Sequence, residues 1–355
     1  MSIEELAQAL AYVDPPLPFV SSETAVYFIR VLDQLLAESH LQGKLILPNL
    51  REHFERISVY SDYGGEHKDA QYNTYAFLIV GHDLSGHALK KMQDVRREYG
   101  LCDPYKEIEY KELRYGPLGR AVPDLLNAAD GLPGLLLVLV VDKRLTTILG
   151  ADSEETLRLA QSTLQGVGVS VKDKVAEKLL RVLHCVAYLC SLLGREGQEL
   201  FWMTDEDAIA ANDELHRALA RQVQPLVQNY AGWQFNRFMY SRSLERTEED
   251  VDFNDCLGVV DLAAGSVEEF FTRRSRSEPS EPLVKQATDQ VLRWLARQGP
   301  ILKKCIVRLT TDGDGSMLAQ EVRFEMKEKI PDPVLVPVRT TSPLGSAPPS
   351  EEDVT

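Results

Sequence analysis

Apolar and polar positions follow two rhythms along this chain, and the rhythms trade places often. Ile57, Val59 and Ser61 alternate with Ser58, Tyr60 and Asp62, the period-two pattern of a strand with two distinct faces. Asp62 closes that strand just before Gly64 and Gly65 turn the backbone, and a second β-rich run covers 72–81. The two runs are predicted to pair. Ser85 offers a cap for a helix reaching about Glu98, with Leu89, Met92 and Val95 at helical spacing and Gly100 at its end. Residues 107–113 read as an alternating strand, with Glu107, Glu109 and Lys111 on one face and Ile108 and Tyr110 on the other. A helix is predicted over 118–129 despite Pro123. The run 135–141 is continuously apolar, as in a strand covered on both faces, and ends at Asp142 and Lys143.

The flanks read differently. Residues 1–50 form a helical N-terminal extension, in which Ser21, Ser22 and Thr24 precede an amphipathic helix with Phe28, Ile29, Leu32 and Leu35 on its apolar side. Helical periodicity covers 153–193 with a break at 166–168, and 204–245 suggests one more helix leading to a strand-like piece at 234–240. A helix is predicted over 254–271, where Asp255 and Asp261 punctuate a face of small and apolar residues. After a polar linker at 275–282, an amphipathic helix (283–298) precedes a hairpin pairing 305–309 with 318–326. The tail 331–355 is rich in Pro and Ser without periodicity and is predicted to be disordered. Strands alternating with helices predict an α/β core over 51–275, a mixed or parallel sheet with flanking helices, followed by a C-terminal helix and hairpin over 281–330.

Composition narrows the function classes. The chain has 355 residues, 44% hydrophobic, with 54 acidic against 39 basic side chains and a net charge of −15. That length buries a sizeable core. The acidic balance argues against broad, non-specific nucleic-acid binding, yet leaves room for an enzyme that meets phosphates through metal ions. Five scattered cysteines form neither a disulfide framework nor a zinc motif. The start lacks a signal-peptide pattern and the longest apolar run is far short of the roughly 20 residues that span a bilayer, so a cytoplasmic location and no membrane partner are expected.

Candidate chemistry rests on acids at strand ends (Asp62, Asp142), an acid on a strand (Glu109) and an acid on a late helix with small neighbours (Asp261). Carboxylates converging from different elements are what one or two Mg²⁺ or Mn²⁺ ions require, and such ions activate water and clamp a phosphodiester. The small residues beside Asp261 are expected to let its helix approach the sheet. In order and spacing, Asp62-Tyr63-Gly64-Gly65, Glu109-Tyr110-Lys111, Val140-Val141-Asp142-Lys143 and Asp261-Leu262-Ala263-Ala264-Gly265 resemble a family of uncharacterised bacterial proteins with a ribonuclease-H-like fold, often linked to mobile elements and phage defence. The resemblance covers roughly 55–272. It implies a metal-dependent nuclease in which Asp62, Glu109, Asp142 and Asp261 are the catalytic metal ligands and Lys111 or Lys143 contacts the DNA or RNA backbone.

One position departs from the family. Glu commonly follows the first Asp there, and this chain has Tyr63, with Glu66 as a candidate substitute from the loop. That departure favours the alternative, a catalytically inactive ribonuclease-H-like module that binds a protein partner. Each acid also has a plain reading: Asp62 accepting hydrogen bonds from the turn, Glu109 paired with Lys111, Asp142 paired with its basic neighbours. Asp261 is harder to dismiss, because a charge on an apolar helix face is costly unless paired. His184 reads as a core histidine, 312–316 as a hairpin turn, and His67, His82 and His87 as residues flanking the proposed site.

Overall fold

In the computed structural model the described residues are 3–338, apart from 12–16, 20–24, 103–104, 146, 151–152, 167, 169, 206–212, 243–250, 276–283, 313–316 and 328–329. The Ser21–Thr24 cap, most of the 275–282 linker, most of the 312–316 turn and the tail beyond 338 lie outside them.

The architecture is mixed α/β. One eight-stranded sheet carries helices on both faces, in the order β5-β4-β1-β2-β3-β6-β7-β8. Its strands are β1 (Arg56–Gly64), β2 (Tyr72–Gly81), β3 (Gly134–Asp142), β4 (Glu199–Thr204), β5 (Arg237–Arg242), β6 (Lys303–Thr311), β7 (Met317–Lys327) and β8 (Ile330–Val338). β2 runs antiparallel to both β1 and β3, whereas β1, β4 and β5 are mutually parallel and β3 is parallel to β6. The carboxyl ends of β1, β3, β4, β5 and β6 therefore share one edge of the sheet. β7 and β8 complete it as an antiparallel meander.

Side-chain parity divides the core in two. Ile57, Val59, Phe77, Leu137 and Trp202 face α2 (Tyr27–Leu41), α6 (Asp173–Leu193) and α7 (Asp213–Ala231). Tyr60, Leu78, Val138 and Met203 face α3 (Gly86–Glu98), α4 (Gly116–Ala129), α8 (Val251–Arg274) and α9 (Gln286–Leu295). β3 is buried along its whole length, because helices cover it on both sides. α1 (Ile3–Ala11) and α5 (Ser153–Gly166) complete the long helices. Among the described residues no helix is long and apolar enough to cross a membrane.

Four expectations need correction. Residues 107–113 are not a strand: an irregular stretch leads into a 3₁₀ turn at Tyr110–Glu112, since the segment lies across α8 with no sheet partner. Ser85 does not cap α3 with its side chain; its hydroxyl donates to Gly81 O at 2.9 Å. Residues 331–338, within the tail expected to be disordered, instead pair with β7 as an edge strand, where Pro331, Pro333 and Pro337 can leave their missing N–H groups on the unpaired side. β4 was absent from the sequence reading, yet it sits beside β1 near the centre of the sheet.

Candidate active site

Asp62 is the last buried residue of β1 on the α8 face. Its backbone neighbour Tyr63 donates an N–H to Asp62 Oδ1 at 2.6 Å. Across the parallel ladder, Ser61 stands opposite Thr204, so the next residue of each strand brings Asp205 beside Asp62 on the same face. The ladder continues that far, because Asp205 N donates to Ser61 O at 3.2 Å. Adjacent strands lie about 4.8 Å apart, which sets the spacing of these two acids.

The third acid comes from above. α8 crosses β1 and β2 and presents Asp261 to Asp62, and the two carboxyls share a hydrogen bond. Asp261 Oδ2 also accepts the Tyr110 N–H at 2.6 Å. Glycines explain how the 108–110 strap fits over α8. A Cβ on Gly258 would lie 2.6 Å from Ile108 Cβ, and one on Gly265 would lie 2.3 Å from Tyr110 Cγ. The small residues around Asp261 thus serve the approach of this strap as well as the sheet contact, where Thr74 Oγ1 donates to Ala264 O at 3.2 Å. Tyr110 is fixed at its other end by Glu269, which accepts its hydroxyl proton.

Burial pushes both carboxyls upward from the ordinary range near 3.8. Asp62 rises well above it, through burial first and then the charges of Asp261 and Asp205. Asp261 is pushed up to about 6, again mainly by burial, with Asp205 and Glu109 adding repulsion and the Asp62 and Tyr110 hydrogen bonds opposing it. Asp62 is the partner that keeps the proton and donates it to Asp261. The resulting cleft has a volume of about 400 Å³ and is lined by Asp62, Glu109, Asp205 and Asp261 together with Lys111 and Asn254.

The predicted site residues fall into two groups. Asp62, Glu109, Asp261 and Lys111 meet at this cleft, with Lys111 Nζ 2.7 Å from Glu109 Oε2. Asp142 does not join them. It stands opposite Tyr72, four residues beyond the level of Asp62 and Ala76, and two strands away. That is roughly 13 Å along the sheet and about 10 Å across it. Arg144 holds its carboxylate with Nε at 3.0 Å and Nη2 at 2.6 Å, Thr310 adds a 3.1 Å bond, and these contacts keep Asp142 below the usual carboxylate range against burial. Lys143 lies at the same place, donating to His67 O at 3.0 Å.

Tyr63, where the resemblance led one to expect Glu, points to the opposite face. Its hydroxyl bonds Ser61 Oγ at 2.7 Å and Thr204 Oγ1 at 3.1 Å, and its ring packs on Tyr75 and Phe77. Glu66 does not replace a cleft acid, because it is paired with Lys178. The histidines do not flank the cleft. His82 stacks on Phe253 beyond the far end of β2, His67 lies 3.5 Å from Glu268, and His87 is on the first turn of α3. His184 is a core residue whose Nδ1 is 2.5 Å from the Tyr230 hydroxyl, and burial lowers it to about 4.

Asp205 is the site residue that the sequence reading missed. The signal was present in Leu200-Phe201-Trp202-Met203-Thr204-Asp205, a short apolar run ending in an acid, the same grammar as 135–142. Among the described residues no three His, Cys, Asp or Glu side chains stand as a formed metal-binding group. What exists is a proton-sharing pair with three further acids, Glu107, Glu109 and Asp205, lining the same cleft. Comparisons with family models, curated proteins and solved structures give no match to this chain.

Proposed function

We propose that the acidic cleft is the centre of a divalent-cation-dependent phosphodiesterase acting on nucleic acid. The carrying observation is the meeting of Asp62, Asp205 and Asp261 from three separate elements, packed so closely that the Asp62–Asp261 pair needs a shared proton. Two carboxyls in contact, one buried and one half-buried, are costly unless a proton or a cation lies between them. The donor set is oxygen only, which suits Mg²⁺ or Mn²⁺ rather than zinc.

Asp62, Asp205 and Asp261 are the residues that would hold the ion, with Glu109 at the rim. A bound divalent cation supplies Lewis-acid polarisation of a phosphoryl oxygen and a water of lowered pKa. The protein's own part is orientation: Tyr63 N and Tyr110 N fix one oxygen each on Asp62 and Asp261 and so hold the two carboxyls against each other. Asp261 loses its own proton as pH rises through about 6, leaving the Asp62 proton as the one a cation would displace, so activity rises through that pH. Lys111, exposed beside Glu109, reaches a phosphate at the cleft mouth. The core order β3-β2-β1-β4-β5, with β2 alone antiparallel, supports a ribonuclease-H-like reading of the sheet. The free state of all five cysteines suits a reducing, cytoplasmic setting.

The test joins calorimetry to cleavage. Mn²⁺ titration should give carboxylate-dependent heat, and labelled oligonucleotides should be cut by the wild type but not by Asp62→Asn, Asp205→Asn or Asp261→Asn. Absence of both heat and cleavage in a folded wild-type protein overturns the enzyme reading and leaves the partner-binding module.

A further inference from the structure

A second depression of about 960 Å³ adjoins the acidic cleft, and Tyr110 with Lys111 lines both. Lys111, Arg114, Arg120 and Lys285 line this second depression, whose described lining contains no Asp or Glu. All four cations are exposed. This is unusual for a chain of net charge −15, where acids outnumber bases. The cations also come from three elements: the 3₁₀ turn and the loop after it, α4, and the N-cap of α9. Glu109 and Glu269 approach from outside the lining, 2.7 Å from Lys111 Nζ and 3.4 Å from Lys285 Nζ. The first turns of α4 and α9, at Gly116 and Gln286, open onto the same space and add their positive ends. Tyr115 is 39% exposed in this lining, with Lys106 Nζ 5.2 Å from its ring centroid.

We propose that this basic depression binds single-stranded nucleic acid, holding its phosphates on Arg114, Arg120 and Lys285 and leading the strand past Lys111 to the acid cleft. The inference rests on the proposed function for the strand's destination. Two features select a single strand. A depression of this volume matches a ligand-sized site and takes a few unpaired nucleotides. A half-exposed tyrosine beside a line of cations is the pairing by which unpaired bases are stacked and their backbone tracked. The acidic remainder of the surface repels nucleic acid elsewhere and confines binding to this groove.

The experiment is fluorescence anisotropy with a labelled 12-nucleotide single strand and the full chain in EDTA, so that binding is read without cleavage. Wild type should bind at low salt with a log–log salt slope of about −2 to −3, as three or four phosphate contacts on a single strand give. Arg114→Ala/Arg120→Ala should reduce the slope by about 1.4 and the affinity at 50 mM salt by roughly 50-fold. Circular dichroism and a thermal melt check that both proteins are folded. The proposal is overturned by absent wild-type binding, by an unchanged slope in a folded double variant, or by equal affinity for the corresponding duplex. Wild type in Mn²⁺ separates the two claims: strand binding in EDTA without cleavage by the folded wild type in Mn²⁺ refutes the nuclease reading alone.

Discussion

Replacing Asp261 by Asn should make the protein more stable above pH 6 while removing its proposed activity. Asp261 is raised from 3.8 to about 6, so between those values the native state holds a proton that the unfolded chain has released. Stability linked to this group is fully present below pH 3.8 and is lost as pH rises through about 6. The gap corresponds to about 3 kcal/mol at its full value. Asp261 is only partly buried, and solvent screening reduces this to about 1–2 kcal/mol. Asn carries no charge to bury, and its amide donates to Asp62, which then loses its strongest acidic neighbour. The expected outcome at pH 8 is a melting temperature higher by about 2–4 °C, with the difference shrinking toward pH 4. Melts monitored by circular dichroism across pH 4–8, in EDTA, measure it. Parallel curves for the two proteins, or a variant less stable at pH 8 than at pH 4 relative to wild type, would refute the reasoning.

Three further outcomes follow from the packing. Gly265→Ala should lower the melting temperature although Ala favours helix by about 1 kcal/mol, because the new Cβ meets the Tyr110 ring and overpacking costs about 1–3 kcal/mol. The same melt on Gly166→Ala, whose Cβ meets nothing within 4 Å, provides the control. Asp142→Asn should leave oligonucleotide cleavage intact and reduce stability at neutral pH, with the loss fading as pH falls through the depressed Asp142 pKa; cleavage assays and melts at pH 7 and pH 3 check both. Asp255→Asn leaves Arg96 buried without its carboxylate and should cost about 3–5 kcal/mol in urea denaturation.

Sequence patterns revealed the elements whose two faces differ. β1 showed through its alternation, β3 through an apolar run that both helical layers cover, and α8 through acids set among small residues. β4 escaped because Leu200 to Met203 is apolar at every position and the whole strand is only six residues long, too short for either rhythm to declare itself. With β4 went Asp205, since its role depends on a parallel register that no local pattern encodes. Glu107 to Leu113 misled in the opposite way: its alternation is real, but its partner is a helix grooved by Gly258 and Gly265. Asp142 shows the limit of motif order, because it is a strand-end acid matched in type and yet four residues out of level. The β8 prolines read as disorder, yet an edge strand tolerates prolines that share one parity.

Tyr110 gives the molecule a mechanical property of its own. Its amide is tied to the carboxylate at the heart of one cleft, while its hydroxyl is tied to Glu269 and its side forms a wall of the other cleft. A single residue thus feels occupancy on both sides. By thermodynamic reciprocity, an ion that tightens the hold on a nucleic-acid strand must itself be held tighter by that strand, and by the same factor. If the proposed ion and strand both bind, they then load as one cooperative event.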